Sequence, residues 1–494
     1  MSDDIQHTEL RGRVISSGAW MFCLRFFQLL SHLVKLIILA RLLAPQDFGL
    51  LGIALLTMAT FDIFSQTGFE EALIQKKGDS TGYLDAAWTF LLFRGLLLFF
   101  LVFSCSPAIA GFFEMPEALN VIRAIGAVFI FRGLTNPGIF LFKKDLKFRK
   151  FFLYDFSGAI CDMVIAVIAV LIYRSIWALV LGILAGECLK CIMSFILHPH
   201  RPQLSFNKEK AASLFRFGRW ILGAKILIFL ITQGDDALVG KVLGATALGF
   251  YQVAYRISNL PATEITHIIS QVTFPAYSRM QENISALKGA YTKALELTAL
   301  ISFFMAGVIF LTAPEFTSVF LGEKWLPMIP ALRLLCLFGL TRSLAATMGP
   351  VLYGVGRPEI QTRLSAIQLI FMAIIIYPLT MKWGIAGASL GVLLPNILAL
   401  IMIFFETKKL INLRGKEFIL SIAAPLVSLI VMFLVVFALK NLHLFKSVFV
   451  NFFLFVLAAV LCYLTVIYFW DMKTGNRIRK EVAGIFKQLR GNMA

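Results

Sequence analysis

The chain has 494 residues, 59% of them hydrophobic and only 15% charged, with a mean hydropathy of +0.83. Soluble domains carry roughly 25% charged residues, so a conventional soluble enzyme or binding module is excluded. The formal net charge of +18 would point to nucleic acid in a soluble chain, but here its placement decides otherwise.

Residues 1–12 carry Asp3, Asp4 and Glu9. No short apolar region with a cleavage site follows, so the first apolar run reads as a retained span and not as a signal peptide. Apolar runs of about 20 residues, each able to cross a hydrocarbon core, recur from there on. They predict fourteen spans, at 14–39, 48–73, 84–112, 118–141, 152–173, 176–198, 213–233, 247–273, 287–312, 328–352, 361–381, 385–405, 417–439 and 447–470. Transmembrane β-strands would alternate in shorter segments. The expected class is an all-α polytopic membrane protein.

Even parity puts both termini on one side. With that side cytoplasmic, roughly 28 of the 46 Lys and Arg residues fall in inner segments and about 7 in outer ones, which is the positive-inside pattern. Lys143, Lys144, Lys147, Arg149 and Lys150 crowd one inner loop, and Lys408, Lys409, Arg414 and Lys416 mark another. The excess charge therefore reads as topology and attraction to anionic lipid heads, with no nucleic acid as partner. The seven cysteines lie in apolar segments and read as reduced packing thiols. Cys188 and Cys191 have CxxC spacing, but within a span. In the basic tail, Ile478, Val482, Ile485, Phe486 and Leu489 share one helical face, which predicts an amphipathic cytoplasmic helix on the inner leaflet.

The first half recurs in the second. Gly18, Trp20, Arg41, Leu43, Gly49 and Ala54 return two hundred positions later as Gly218, Trp220, Lys241, Leu243, Gly249 and Ala254. Ile176, Gly182, Leu184 and Phe195 return at an offset of 209 as Ile385, Gly391, Leu393 and Phe404. Six spans per repeat give an N-lobe at 1–205 and a C-lobe at 206–410. Two extra helices at 411–471 and the tail at 472–494 lie outside the repeat. Equivalent spans differ by an even number, so the lobes share one orientation, as in transporters built from parallel repeats around a shared cavity.

Three segments carry a family resemblance. ARLLAPQDFGLLGIA after the first span resembles the signature loop of polysaccharide flippases, the Wzx-type oligosaccharide-lipid exporters. GDDALVGKVLGATALGFYQVAYRISNLP at 234–261 resembles the matching region of their second lobe. ISQVTFPAYSRMQ at 269–281 resembles the exopolysaccharide, colanic-acid-like subgroup. The resemblance implies the multidrug/oligosaccharidyl-lipid/polysaccharide exporter superfamily, with two six-helix lobes and alternating access in a bacterial inner membrane. The implied substrate is an undecaprenyl-diphosphate-linked oligosaccharide, flipped from the inner to the outer leaflet for exopolysaccharide, capsule or O-antigen synthesis. Polysaccharide polymerase machinery is an implied partner. A multidrug or cation antiporter of the same superfamily, a lipid II flippase and a membrane polymerase or ligase stay open as alternatives.

Charges inside spans cost at least about 2.5–3.5 kcal/mol at a helix centre, so each asks for a reason. Arg25, Gln28, His32 and Lys35 share one face of the first span, and Arg25 maps onto Lys225 in the seventh. With Arg256, Asn259, Arg132, Arg219 and Arg333 they are the expected cationic cavity for a diphosphate, which a guanidinium fork matches. Arg94, Arg123 and Arg342 lie near span ends, where snorkelling accounts for them. Asp62, Asp155, Asp162, Asp235, Asp236 and Glu264 are expected as charge partners or as sites for a coupling proton or cation. Glu187 and Lys190, three apart, are expected to neutralise each other. Pro261 is expected to interrupt the eighth span, and Asn136-Pro137 the fourth. No metal-ligand spacing, nucleophile beside a base, or phosphate-binding glycine loop occurs. The sequence thus predicts a transporter with no cofactor and no catalytic site.

Overall fold

The computed structural model describes residues 27–65, 83–145, 147–205, 208–442 and 445–473, with the side chains at 208–224, 260–272 and 275 outside the description. In chain order the helices are α1 (27–42), α2 (Pro45–Phe64), α3 (Leu84–Phe112), α4 (Ala118–Gly126), α5 (Val128–Leu134), α6 (Ile139–Lys144), α7 (Phe148–Tyr173) and α8 (Trp177–Leu197). They continue as α9 (Lys208–Arg279), α10 (Ile284–Phe316), α11 (Ile329–Gly354), α12 (Pro358–Leu410), α13 (Gly415–Asn441) and α14 (Val448–Lys473). Among the described residues nine helices are long and apolar enough to cross a membrane. The protein is an all-α polytopic membrane protein, because hydrocarbon tolerates only backbone that satisfies its own hydrogen bonds.

Breaks in these helices sit where local chemistry puts them. In the first repeat α1 ends at Leu42, and Pro45 opens α2 at a position whose missing N–H costs nothing. Asp47 Oδ2 accepts the Ala44 N–H at 2.9 Å and closes the turn. In the second repeat α9 is one helical run, broken at Gly244, the equivalent of Ala44. Gly244 has φ 86° and ψ 178°, a conformation open to glycine. A similar break at Trp383–Gly384 divides α12. The fourth expected span is divided, with Thr135–Gly138 between α5 and α6. There Asn136 N donates to Ser194 Oγ at 2.9 Å, Asn136 Nδ2 to the His200 carbonyl at 2.8 Å, and Gly138 N to Asn136 Oδ1 at 2.9 Å. The expected interruption at Pro261 is not there. The helical backbone of α9 runs through it unbroken, as membrane helices permit when neighbouring groups satisfy the freed carbonyl.

The chain forms two compact units. Among the described residues, one runs up to Phe229 and includes Gly244–Gly249; the other consists of Leu230–Leu243 and the chain from Phe250 to Lys473. Small residues let the helices of the first unit approach. A Cβ on Gly186 would lie 2.8 Å from the Gly158 carbonyl, and one on Gly182 2.7 Å from the Asp162 carbonyl, which brings α7 and α8 together. Gly95 of α3 lies against the Phe129 carbonyl of α5 in the same way. The repeat itself is visible here. A Cβ on Gly49 would overlap the Ala245 carbonyl, and one on Gly249 would overlap the Pro45 carbonyl. Each contact is the other shifted by the repeat offset of 200.

In the second unit Tyr277, Tyr291, Leu295, Phe303, Met348 and Leu352 form a buried core. The two helices beyond the repeat dock on α10. Tyr463 donates to the Leu300 carbonyl at 2.7 Å, and Lys440 Nζ to the Leu311 carbonyl at 2.6 Å and to Glu315 at 2.9 Å.

Candidate functional site: charged residues inside the spans

Among the described residues, eight intramembrane charges of the first unit pair across neighbouring helices in three clusters, together a web of charge pairs. Lys35 of α1 pairs with Asp162 of α7 at 2.5 Å, and Gln28 donates to Asp155 Oδ2 at 2.6 Å. Both contacts join residues 127 apart. Two contacts of equal separation, two helical turns from each other, require α1 and α7 to run parallel and in register. The face predicted for the first span therefore exists from Gln28 to Lys35, but it meets the carboxylates of a neighbouring helix. Lys190 of α8 reaches Asp155 Oδ1 at 2.6 Å. Arg94 of α3 donates to Asp62 at 2.5 Å and to the Ser65 carbonyl at 3.0 Å. Arg132 of α5 lies 3.1 Å from Glu187 and 3.8 Å from Asp62.

Two expectations are corrected by these contacts. Glu187 and Lys190 do not pair with each other. Glu187 faces Arg132, while Lys190 lies along Gly158, where a side chain would overlap its methylenes. Each finds its opposite charge on another helix: Glu187 takes Arg132 of α5, and Lys190 takes Asp155 of α7. Arg94 does not snorkel to an interface; the acid one helix back holds it.

The result is four cations, Lys35, Arg94, Arg132 and Lys190, against four carboxylates, Asp62, Asp155, Asp162 and Glu187. Removing one partner of a buried pair costs about 3–5 kcal/mol, since it orphans the other. The members differ in access. Lys35 and Arg94 are 12% and 18% exposed, whereas Arg132 is 41% exposed and shared between two acids. Arg132 is thus the cation of the web that an incoming anion reaches with least disruption.

The second unit is arranged differently. Adjacent Asp235 and Asp236 lie in α9, and the Tyr251 hydroxyl donates to Asp235 Oδ2 at 2.6 Å. Oδ1 of each aspartate is buried without a hydrogen-bond partner. Arg342 of α11 donates to the Tyr255 hydroxyl at 3.3 Å, and Asn396 Nδ2 to Thr341 Oγ1 at 2.7 Å. Tyr251 and Tyr255 were not singled out from the sequence. Their signal, two tyrosines four apart following two acids across a glycine break, is legible only once the break is placed. Asn259 is buried, with its amide donating to the Tyr255 carbonyl at 3.2 Å, and Arg256 is exposed. In the first unit, Lys225 is half-buried and His32 exposed, both engaged with other groups. Arg333 stacks on Phe310. Arg25 and the side chains of Arg219 and Glu264 lie outside the described residues.

Repeated apolar helices with charge pairs between them define a polytopic helical membrane protein. The family described as "Polysaccharide biosynthesis protein" matches residues 38–330. The chain belongs to this family, which includes the Wzx-type polysaccharide flippases. It is 26% identical over 420 residues to "Lipopolysaccharide biosynthesis protein WzxC" of Escherichia coli (strain K12), covering 84% of this chain and 85% of that one. Its fold is shared with "Lipid II flippase MurJ, inward closed conformation", at TM-score 0.75 and 15% identity over 93% of this chain and 99% of that one. It is also shared with an inward-facing multidrug resistance MATE family transporter of the MOP superfamily, at TM-score 0.62 and 18% identity over 78% and 94%.

Proposed function

We propose that the protein flips an undecaprenyl-diphosphate-linked oligosaccharide from the inner to the outer leaflet of the bacterial inner membrane, by alternating access, for exopolysaccharide, capsule or O-antigen synthesis. Both termini are cytoplasmic in this reading, and no bond of the substrate is made or broken. The observation that carries it is Arg132, a side chain 41% exposed within a span, with its guanidinium 3.1 Å from Glu187 and 3.8 Å from Asp62.

A diphosphate headgroup carries roughly two negative charges, and hydrocarbon alone forbids its passage. Cations already desolvated and oriented by carboxylates replace the lost water without paying again for burial. The diphosphate takes over donors that Glu187 and Asp62 now share, and Arg25 and Lys225 extend the receiving set. The other charge pairs of the web fix the helices around it. Outward movement of an anion is also favoured by a negative interior, by about 2.3 kcal/mol per charge per 100 mV. Asp235 and Asp236, each with an unanswered buried oxygen, are the acids left to exchange a coupling proton or cation. An exporter of organic cations would need acids in excess, whereas in the first unit every acid of the web is matched by a cation.

The test is complementation of a strain lacking the gene, with membrane levels measured in parallel. Arg132→Ala, Arg25→Ala and Lys225→Ala are each expected to lose polymer export per unit of protein in the membrane. Full polymer production by all three would refute the reading.

A further inference from the structure

Two arginines inside the spans, one in each unit, rest against an aromatic ring. In the first, Arg123 of α4 donates from Nε to Ser106 Oγ at 2.9 Å, and its guanidinium lies 4.4 Å from the centroid of the Phe103 ring. In the second, the guanidinium of Arg333 of α11 lies 5.6 Å from the centroid of Phe310, and its Nε is buried without a hydrogen-bond partner. Neither arginine pairs with a carboxylate among the described residues.

The two are repeat equivalents. Phe103 and Pro107 lie within α3, and Phe310 and Pro314 within α10, at an offset of 207. Arg123 and Arg333 follow in the second turn of the next helix, at an offset of 210. The same pair of side chains therefore meets at the same end of the third and fourth spans in both lobes. That end is extracytoplasmic in the orientation given by the loop charges.

An aromatic face holds one side of a guanidinium but satisfies none of its N–H groups. The edge donors remain for an anion, and their fork matches phosphate oxygens. The surroundings say where that phosphate comes from. Phe103 is 44% exposed, Phe100 61% and Phe112 59%, while Leu326 and Leu337 are exposed near Arg333 in sequence. Acyl chains fit such a surface, and a span end lies at headgroup depth. We propose that Arg123 and Arg333 are repeat-related sites for a lipid-borne phosphate, one in each lobe. Arg333 is thereby assigned to the lipid face and not to the substrate cavity. The proposal does not depend on which glycan is flipped, or on flipping at all.

The full chain, purified in detergent, is titrated with dioleoyl phosphatidic acid, with dioleoylglycerol and with inorganic pyrophosphate, and bound molecules are counted by native mass spectrometry. Wild type is expected to retain phosphatidic acid at least about 5-fold better than dioleoylglycerol, with Arg123→Met and Arg333→Met each losing one bound molecule and the double variant both. Unchanged retention by the double variant overturns the proposal, as does equal retention of dioleoylglycerol. Arginine-dependent binding of pyrophosphate without lipid binding overturns the lipid source. Should the methionine double fail to fold, the Arg123→Lys, Arg333→Lys double keeps the charge and loses the planar fork. Weaker retention by it supports the proposal and wild-type retention sinks it. Export is a separate readout, so loss of the flippase reading would leave these outcomes unchanged.

Discussion

Lys35→Met removes the ammonium that Asp162 holds at 2.5 Å. Two unit charges about 4 Å apart attract by about 4 kcal/mol at an effective dielectric of about 20. The pair is 12% and 17% exposed, so part of that attraction is screened, and part of the penalty for an orphaned charge is relieved by water. The single variant is expected to lose about 2–3 kcal/mol, below the 3–5 kcal/mol of a fully buried pair. Asp162→Asn orphans Lys35 and should cost a similar amount. The double variant removes both charges at nearly constant volume, and Gly182 leaves no room for anything larger beside Asp162. It should lie within about 1 kcal/mol of wild type, for a coupling energy of at least about 3 kcal/mol. Unfolding by SDS in bicelles gives all four corners of the cycle. Additive losses would refute the pairing as a determinant of stability. The double variant is also expected to retain export, since the pair holds α1 against α7; abolished export in a stable double variant would show that Lys35 meets the substrate.

Gly244→Ala puts a side chain at φ 86° and ψ 178° and should destabilise by about 1–3 kcal/mol, whereas Gly111→Ala, with open space at its Cβ, should be neutral in the same unfolding assay. Gly49→Val and Gly249→Val would each drive a side chain into backbone carbonyl, and both should fail to accumulate in the membrane by immunoblot. Tyr251→Phe removes the hydroxyl that answers Asp235 Oδ2 and should cost about 1–3 kcal/mol, less in an Asp235→Asn background. His198, just past the end of α8, has its pKa lowered by burial and by the nearby His200, Lys150 and Lys147. The folded loop thus prefers the neutral ring. Its stability contribution is fully present above the ordinary histidine pKa of about 6.5 and is lost as pH falls through the lower folded value. Amide exchange across 198–205, corrected for intrinsic rates, should show protection falling below that pH in wild type and holding in His198→Phe.

Much of the fold was legible because membrane helices obey few rules. Apolar length located the helices, and a sparse repeat located equivalent breaks, Ala44-Pro45 in one lobe and Gly244 in the other. Asn136-Pro137 was readable as a break because proline has no N–H for the helix ladder and asparagine favours turns. Pro261 was misread because a proline in a membrane span need not end a helix. The charges were less legible. One-dimensional spacing identified the face from Gln28 to Lys35, but spacing says nothing of which helix lies opposite. That Asp155 and Asp162 share the same seven-residue spacing was visible; that they form the matching rungs of a parallel helix was not. Local pairing rules assigned Lys190 to Glu187, since they take no account of a partner from α7.

Flipping itself is most directly read in proteoliposomes loaded with a fluorescent undecaprenyl-diphosphate-linked sugar, under an imposed potential negative on the face equivalent to the cytoplasm. Wild type should move the label to the opposite leaflet faster as the potential grows, and Arg132→Ala, which forfeits charge-assisted hydrogen bonds of about 1.5–3 kcal/mol, should be slower by about 10- to 100-fold. Equal rates for the two proteins, or a wild-type rate indifferent to whether the label bears its diphosphate, would contradict recognition of a doubly anionic head by cations within the spans.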